Sequence, residues 1–261
     1  MNTIRVRERD GFRYVDEGDG QVLLLLHGLF GALSNWTTVV NHFRNRYRIL
    51  IPMLPIYELP VQQANLDYLT DFVERFVDTQ GIDRMGILGN SLGGHIGLMY
   101  ALRHPQRLQH LILTASSGLF ERGMGETYPR RGNYAYVKDR VAYTFYDPRM
   151  ATEDLVQNVF EVTSDRMKCL RMIYLARSAQ KNNLAEDLHR ISCPVLLIWG
   201  LNDMITPPVV AHEFAQRLPH SQIRFIDRCG HAPMMEHPDL FNHYVDQFFN
   251  TQTIKGEAVN A

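Results

Sequence analysis

Cysteine is scarce in this chain: three residues, Cys169, Cys193 and Cys229, stand among 261, and no two form a Cys-x-x-Cys pair. That scarcity excludes a disulfide framework and points to a reducing compartment, with the cytoplasm as the default. Long hydrophobic runs are missing too. The longest near the start covers residues 22–26, far short of the length that spans a bilayer, so no membrane span is expected. Met1-Asn2-Thr3-Ile4-Arg5 lacks the apolar core of a signal peptide. Charge of one sign is not in excess: 27 Lys+Arg face 28 Asp+Glu, a formal net charge of -1. With no basic stripe interleaved with aromatics, a nucleic-acid partner is excluded. No Gly-x-Gly-x-x-Gly follows a strand-like run, and no His/Cys/Asp/Glu cluster has metal-ligand spacing; Glu236-His237 resembles a ligand pair only superficially. The expectation is therefore no cofactor and no metal. Repeats and low-complexity linkers are lacking as well, and no motif specifies an oligomeric state.

What is present is the composition of an ordinary soluble globule, 45% hydrophobic and 21% charged, long enough for one large core with or without a small subdomain. Residues 4–7 and 12–15 alternate apolar and polar around Asp10-Gly11, which predicts a solvated antiparallel hairpin. Short apolar runs follow at 22–26, 49–51, 85–88, 111–113, 195–199 and 223–226, as expected of strands buried on both faces of a parallel sheet. Helical periodicity separates them. Leu66, Leu69, Val73, Phe76 and Val77 share one face, and Leu240, Phe241, Tyr244, Val245 and Phe248 mark a last helix. Alternating strands and helices predict an α/β fold, a mostly parallel doubly wound sheet. The alternation breaks between Ser117 and Ser192, where helical stretches rich in Arg and Tyr replace strands. We therefore expect a core from residues 1–117 and 193–250, an inserted helical lid at 118–192, and a flexible tail at 251–261.

Gly89-Asn90-Ser91-Leu92-Gly93 follows one of these strands and opens a helix. A Gly-x-Ser-x-Gly turn in that setting exposes the serine at the carboxyl end of the sheet. A serine hydroxyl needs a base within reach, and the base needs a carboxylate to fix its tautomer. His231 supplies the base and Asp203 the carboxylate, in the chain order Ser, Asp, His; Asp227 is the competing acid. The tetrahedral oxyanion needs two N–H donors. They are expected from Leu92, at the helix start, and from Leu29, with Phe30 as the substitute; Gly28 and Gly31 would let that loop approach. His27 and His95 are read as structural, hydrogen-bonded histidines.

Four blocks carry a resemblance over residues 3–249: His27-Gly28-Leu29-Phe30-Gly31, Gly89-Asn90-Ser91-Leu92-Gly93-Gly94, Trp199-Gly200-Leu201-Asn202-Asp203 and Cys229-Gly230-His231-Ala232-Pro233. Together they resemble the α/β-hydrolase fold superfamily. Within it the chain is most similar to small-ester hydrolases and to carbon–carbon bond (meta-cleavage product) hydrolases, whose elbow also resembles Gly-Asn-Ser-x-Gly-Gly. The resemblance implies a cofactor-independent serine hydrolase acting on a small-molecule ester. The alternatives are hydrolysis of meta-cleavage-type dienoates and, from a different class, a ligand-binding receptor on a hydrolase fold. One stretch departs from the pattern. Relatives carry Asp-x-x-Gly-x-Gly after the second long strand, whereas this chain has Met53-Leu54-Pro55-Ile56-Tyr57-Glu58, expected to pack at the pocket rim. Phe30, Asn90, Arg130 and Arg131 are the candidate substrate contacts. Arg122, Arg130, Arg131 and Arg140, with Tyr128, Tyr134, Tyr136, Tyr143 and Tyr146, form a cationic–aromatic stretch. It reads either as a pocket for an anionic acyl group or as a solvated helical face, and the second reading is favoured.

Overall fold

The computed structural model describes residues 4–31, 33–121 and 132–259, with residues 253–259 given by backbone alone. Val6–Arg9 (β1), Phe12–Glu17 (β2), Gln21–Leu26 (β3), Tyr47–Pro52 (β4), Met85–Asn90 (β5), Leu108–Thr114 (β6), Val195–Gly200 (β7) and Ser221–Ile226 (β8) form one sheet. Their spatial order is β1-β2-β4-β3-β5-β6-β7-β8. β1 and β2 make the expected antiparallel hairpin. Asp10 and Gly11 both have positive φ, 53° and 80°, which suits the twist of a two-residue turn. β2 also runs antiparallel to β4, and every other pairing is parallel.

The helices explain why the strand sequences are so uniformly apolar. Thr37–Phe43 (α1), Leu66–Thr79 (α2), Leu92–Arg103 (α3), Tyr134–Ala142 (α4), Glu153–Ser164 (α5), Arg166–Lys181 (α6), Pro208–Arg217 (α7), Pro233–Glu236 (α8) and Pro238–Val259 (α9) follow in chain order among the strands. Successive strand residues point to opposite faces. Leu24 and Leu26 meet Leu69, Val73 and Ile96 of α2 and α3 on one side. Leu23 and Leu25 meet Val40 and Phe43 of α1 and Phe241 and Val245 of α9 on the other. With both faces covered, every residue of β5 and β7 is buried. Several helix starts are capped by short polar side chains: Asn65 accepts the N–H of Tyr68 at 2.9 Å, and Asp165 accepts those of Met167 and Lys168.

α4, α5 and α6 lie between β6 and β7 in the chain. Val137, Val141, Val156 and Val159 build an apolar cluster of α4 with α5, apart from the two sheet cores. α6 joins the sheet's core through Leu175 and Ala179. The last helix, α9, runs to Val259, into the stretch 251–261 expected to be a flexible tail. No described helix is long and apolar enough to cross a membrane.

Candidate active site

The turn from β5 into α3 holds Ser91 at φ 53°, ψ −119°, a left-handed conformation that side-chain-bearing residues avoid. The surroundings fix it there. The Ser91 N–H donates to the Thr114 carbonyl at 3.1 Å, and the Ser91 carbonyl accepts the N–H groups of His95 and Ser117 at 3.1 and 3.2 Å. Gly93 is required by close approach, since a Cβ there would lie 2.1 Å from the Leu26 carbonyl oxygen. The result is a serine pushed out of the carboxyl edge of the sheet. Leu92, as the first residue of α3, carries an N–H with no partner inside the helix.

Asp203 and His231 come from the turns after β7 and β8. Asp203 is 2% exposed, and its Oδ2 lies 2.9 Å from His231 Nδ1. Backbone N–H groups of Ile205 and Thr206 donate to Asp203 Oδ1, and the Thr206 hydroxyl donates to Oδ2 at 2.8 Å. The carboxylate is therefore locked in one orientation, and Nε2 remains as the ring nitrogen that can take a proton. Burial works against a charged His231, but the Asp203 carboxylate, helped by Glu121 and Glu236, outweighs it and raises the pKa above the ordinary 6.5. Asp227, the competing acid, is exposed at the surface.

The loop after β3 closes the site. A Cβ on Gly28 would fall 3.2 Å from Ser91 Cβ, so this loop lies directly beside the serine. The Gly28 carbonyl accepts the Gly31 N–H at 2.9 Å and contacts His27 Nδ1 at 2.8 Å. His27 Nε2 takes the Leu54 N–H at 3.4 Å, which leaves Nδ1 as the donor. Burial lowers the His27 pKa, so this ring stays neutral. His95 is likewise buried, its pKa pushed down to about 4 by desolvation, with Nδ1 3.3 Å from the Ser117 hydroxyl.

Gly28, Leu29, Phe30, Asn90, Ser91, Leu92 and His231 line one cavity of about 520 Å³. Its opposite wall comes from α4, α5 and α6, including Val137, Val141, Val159 and Met172. Asn90 reaches the cavity, yet its side-chain amide is already engaged, donating to the carbonyls of Thr114 and His231 at 3.1 and 3.3 Å. Arg122, Tyr128, Arg130 and Arg131 lie outside the described residues. Arg140 does line the cavity, with its guanidinium 5.5 and 5.3 Å from the rings of Tyr136 and Tyr143. Glu121 also lines it, and burial pushes its carboxyl pKa up against the pull of His231. No motif marks Glu121 or Thr206; their roles arise only where the chain brings them beside His231. Glu236 and His237 turn to different partners. Glu236 accepts the N–H groups of Gly230 and Tyr146 at 2.7 Å each, while His237 Nε2 contacts the Arg228 carbonyl.

Residues 23–243 match the model of the Alpha/beta hydrolase family. The chain belongs to that family. It is a hydrolase, and its fold agrees with those of solved relatives. An alpha/beta hydrolase enzyme from the metagenome of sediments from the lagoon of Mar Chica, Morocco, is 34% identical with a TM-score of 0.80, over 95% of this chain and 99% of that one. A 2-hydroxy-6-oxononadienedioate/2-hydroxy-6-oxononatrienedioate hydrolase of Burkholderia vietnamiensis is 27% identical over 90% of this chain and 89% of its own. The pimeloyl-[acyl-carrier protein] methyl ester esterase of Nitrosomonas europaea is 28% identical over 86% of this chain and 94% of its own.

Proposed function

We propose that this hydrolase cleaves carboxylic esters of small to medium, uncharged acyl groups, without a cofactor and in the cytoplasm. The observation that carries the reading is the joint placement of Ser91 and His231 on the wall of one apolar cavity, with the Asp203 carboxylate held against His231 Nδ1. Ser91 Oγ attacks the acyl carbon as His231 Nε2 takes its proton, and the N–H groups of Leu92 and Leu29 receive the oxyanion. The proton then passes from His231 to the leaving alcohol, giving an acyl-Ser91. Water attacks this ester with His231 again as base, releasing the acid and restoring the serine hydroxyl.

The inserted helices α4–α6 act as the lid, and their valines supply the acyl wall. Esters carrying a free carboxylate gain little there, because Glu121 faces the same space as Arg140. A second reading, hydrolysis of a carbon–carbon bond in a dienoate, draws on Arg140 and Arg177 in the cavity wall and on the name of the Burkholderia relative. A panel of p-nitrophenyl esters of rising chain length, assayed beside one ring-cleavage dienoate, separates the two. Ester turnover with an optimum at intermediate length supports the proposal, and turnover of the dienoate alone replaces it.

A further inference from the structure

The segment that departs from the family pattern grips the loop expected to bind the oxyanion. After β4 the chain runs through Leu54 and Ile56, both buried in the core, and brings half-buried Tyr57 to the Gly28–Gly31 loop. The Tyr57 hydroxyl donates to the Leu29 carbonyl at 2.6 Å. The Leu54 N–H contacts His27 Nε2, and His27 Nδ1 in turn meets the Gly28 carbonyl. Both carbonyls flanking Leu29 are therefore tethered.

A planar peptide turns as a unit, carrying its C=O and N–H together. Holding the Gly28 oxygen fixes the Leu29 N–H, and holding the Leu29 oxygen fixes the Phe30 N–H. A carbonyl that accepts a hydrogen bond also makes the N–H of its own peptide a better donor. Glycine on either side of Leu29-Phe30 leaves this loop intrinsically soft, so an outside tether is needed to keep donors aimed while charge develops.

We infer that Tyr57 is a positioning residue for the oxyanion hole: its phenol anchors the carbonyl side of Leu29, so that the Leu29 N–H set by the Gly28 peptide stays aimed at the tetrahedral intermediate. The inference rests on Ser91 being the nucleophile. It assigns to the Met53–Glu58 loop a part that the lining of the cavity alone does not reveal, since none of its residues contributes to that lining.

The test is Tyr57→Phe, which removes one oxygen and keeps the ring. Matched substrates are an ester and the thionoester in which sulfur replaces the carbonyl oxygen. A tight oxyanion hole favours oxygen over the larger, weaker acceptor. Ester kcat/KM is expected to fall about ten- to a hundredfold, part of what outright loss of a donor costs, mostly in kcat. The thionoester is expected to change far less, so the ester-to-thionoester ratio should drop about tenfold. That ratio does not depend on how much of the sample is folded, so a purely structural role would leave it unchanged. An unchanged ratio overturns the inference even if total activity falls. Fluorophosphonate labelling of Ser91 in the wild type is checked in parallel. Its absence would remove the nucleophile assignment and this inference with it, whereas normal labelling with an unchanged ratio removes only the role of Tyr57.

Discussion

In the proposed mechanism a single hydroxyl, a single imidazole and a single carboxylate carry the chemistry, and each makes a separable prediction. Asp203→Asn should preserve the fold but favour the wrong His231 tautomer, lowering kcat on the order of 10⁴-fold, as the same change does in serine proteases. Asp227→Asn, at an exposed position, should be nearly silent in the same assay; the reverse pattern would show that the acid had been misplaced. The pH dependence follows from the His231 pKa, which lies above the ordinary 6.5. With the neutral ring as the proposed base, kcat/KM should rise with pH through a midpoint above that value. Glu121→Gln removes one of the carboxylates that raise it and should move the midpoint to lower pH. A profile that stays put or moves upward would contradict the electrostatic role of Glu121. The proposed triad was legible in the sequence as a candidate because the elbow and the Gly-His-Ala-Pro turn are short, local patterns. Thr206, Glu121 and Tyr57 were not, because their partners lie 3 to 110 positions away in space-filling contacts that no spacing rule encodes.

At the scale of elements, the crossing of α3 beneath β3 sets the position of the nucleophile. Gly93→Ala would place a methyl group 2.1 Å from the Leu26 carbonyl oxygen, a backbone atom that cannot swing aside. The helix must then move, which should destabilise the protein by about 1–3 kcal/mol and misplace Ser91. Calorimetry together with kcat should report both losses, and a variant with wild-type Tm and activity would argue against this packing. The parallel strands were readable because helices on both faces force near-continuous apolar sequence, as in β5 and β7. The last turns of α9 carry no strong apolar stripe to announce a helix. The loop after β4 was expected at the pocket rim. Ile56 is instead fully buried, and the hydroxyl of Tyr57 turns to the Leu29 carbonyl.

For the whole molecule, the turn bearing His231 is fastened to the segment that follows α4 as well as to the sheet. The His231 N–H donates to the Thr144 carbonyl at 2.8 Å, and Glu236 bridges the N–H groups of Gly230 and Tyr146. Glu236→Gln keeps the shape but sets an amide NH₂ against an N–H, which should cost about 1–3 kcal/mol and lower Tm by several degrees. It should also loosen His231, so kcat should fall with the Tm; an unaltered Tm in thermal denaturation would show that this bridge contributes nothing. That the insertion would be helical was legible from its periodicity, but its contact with the His231 turn was not, because Thr144 contributes a backbone carbonyl, which leaves no mark on the residue pattern. Ser91 is the proposed nucleophile, and mass spectrometry of protein treated with a fluorophosphonate tests that role most directly. One adduct, mapped to the peptide containing Ser91 and lost in Ser91→Ala along with roughly 10³-fold or more of kcat, is the predicted result. Undiminished labelling of Ser91→Ala, or an adduct mapped elsewhere, would contradict it.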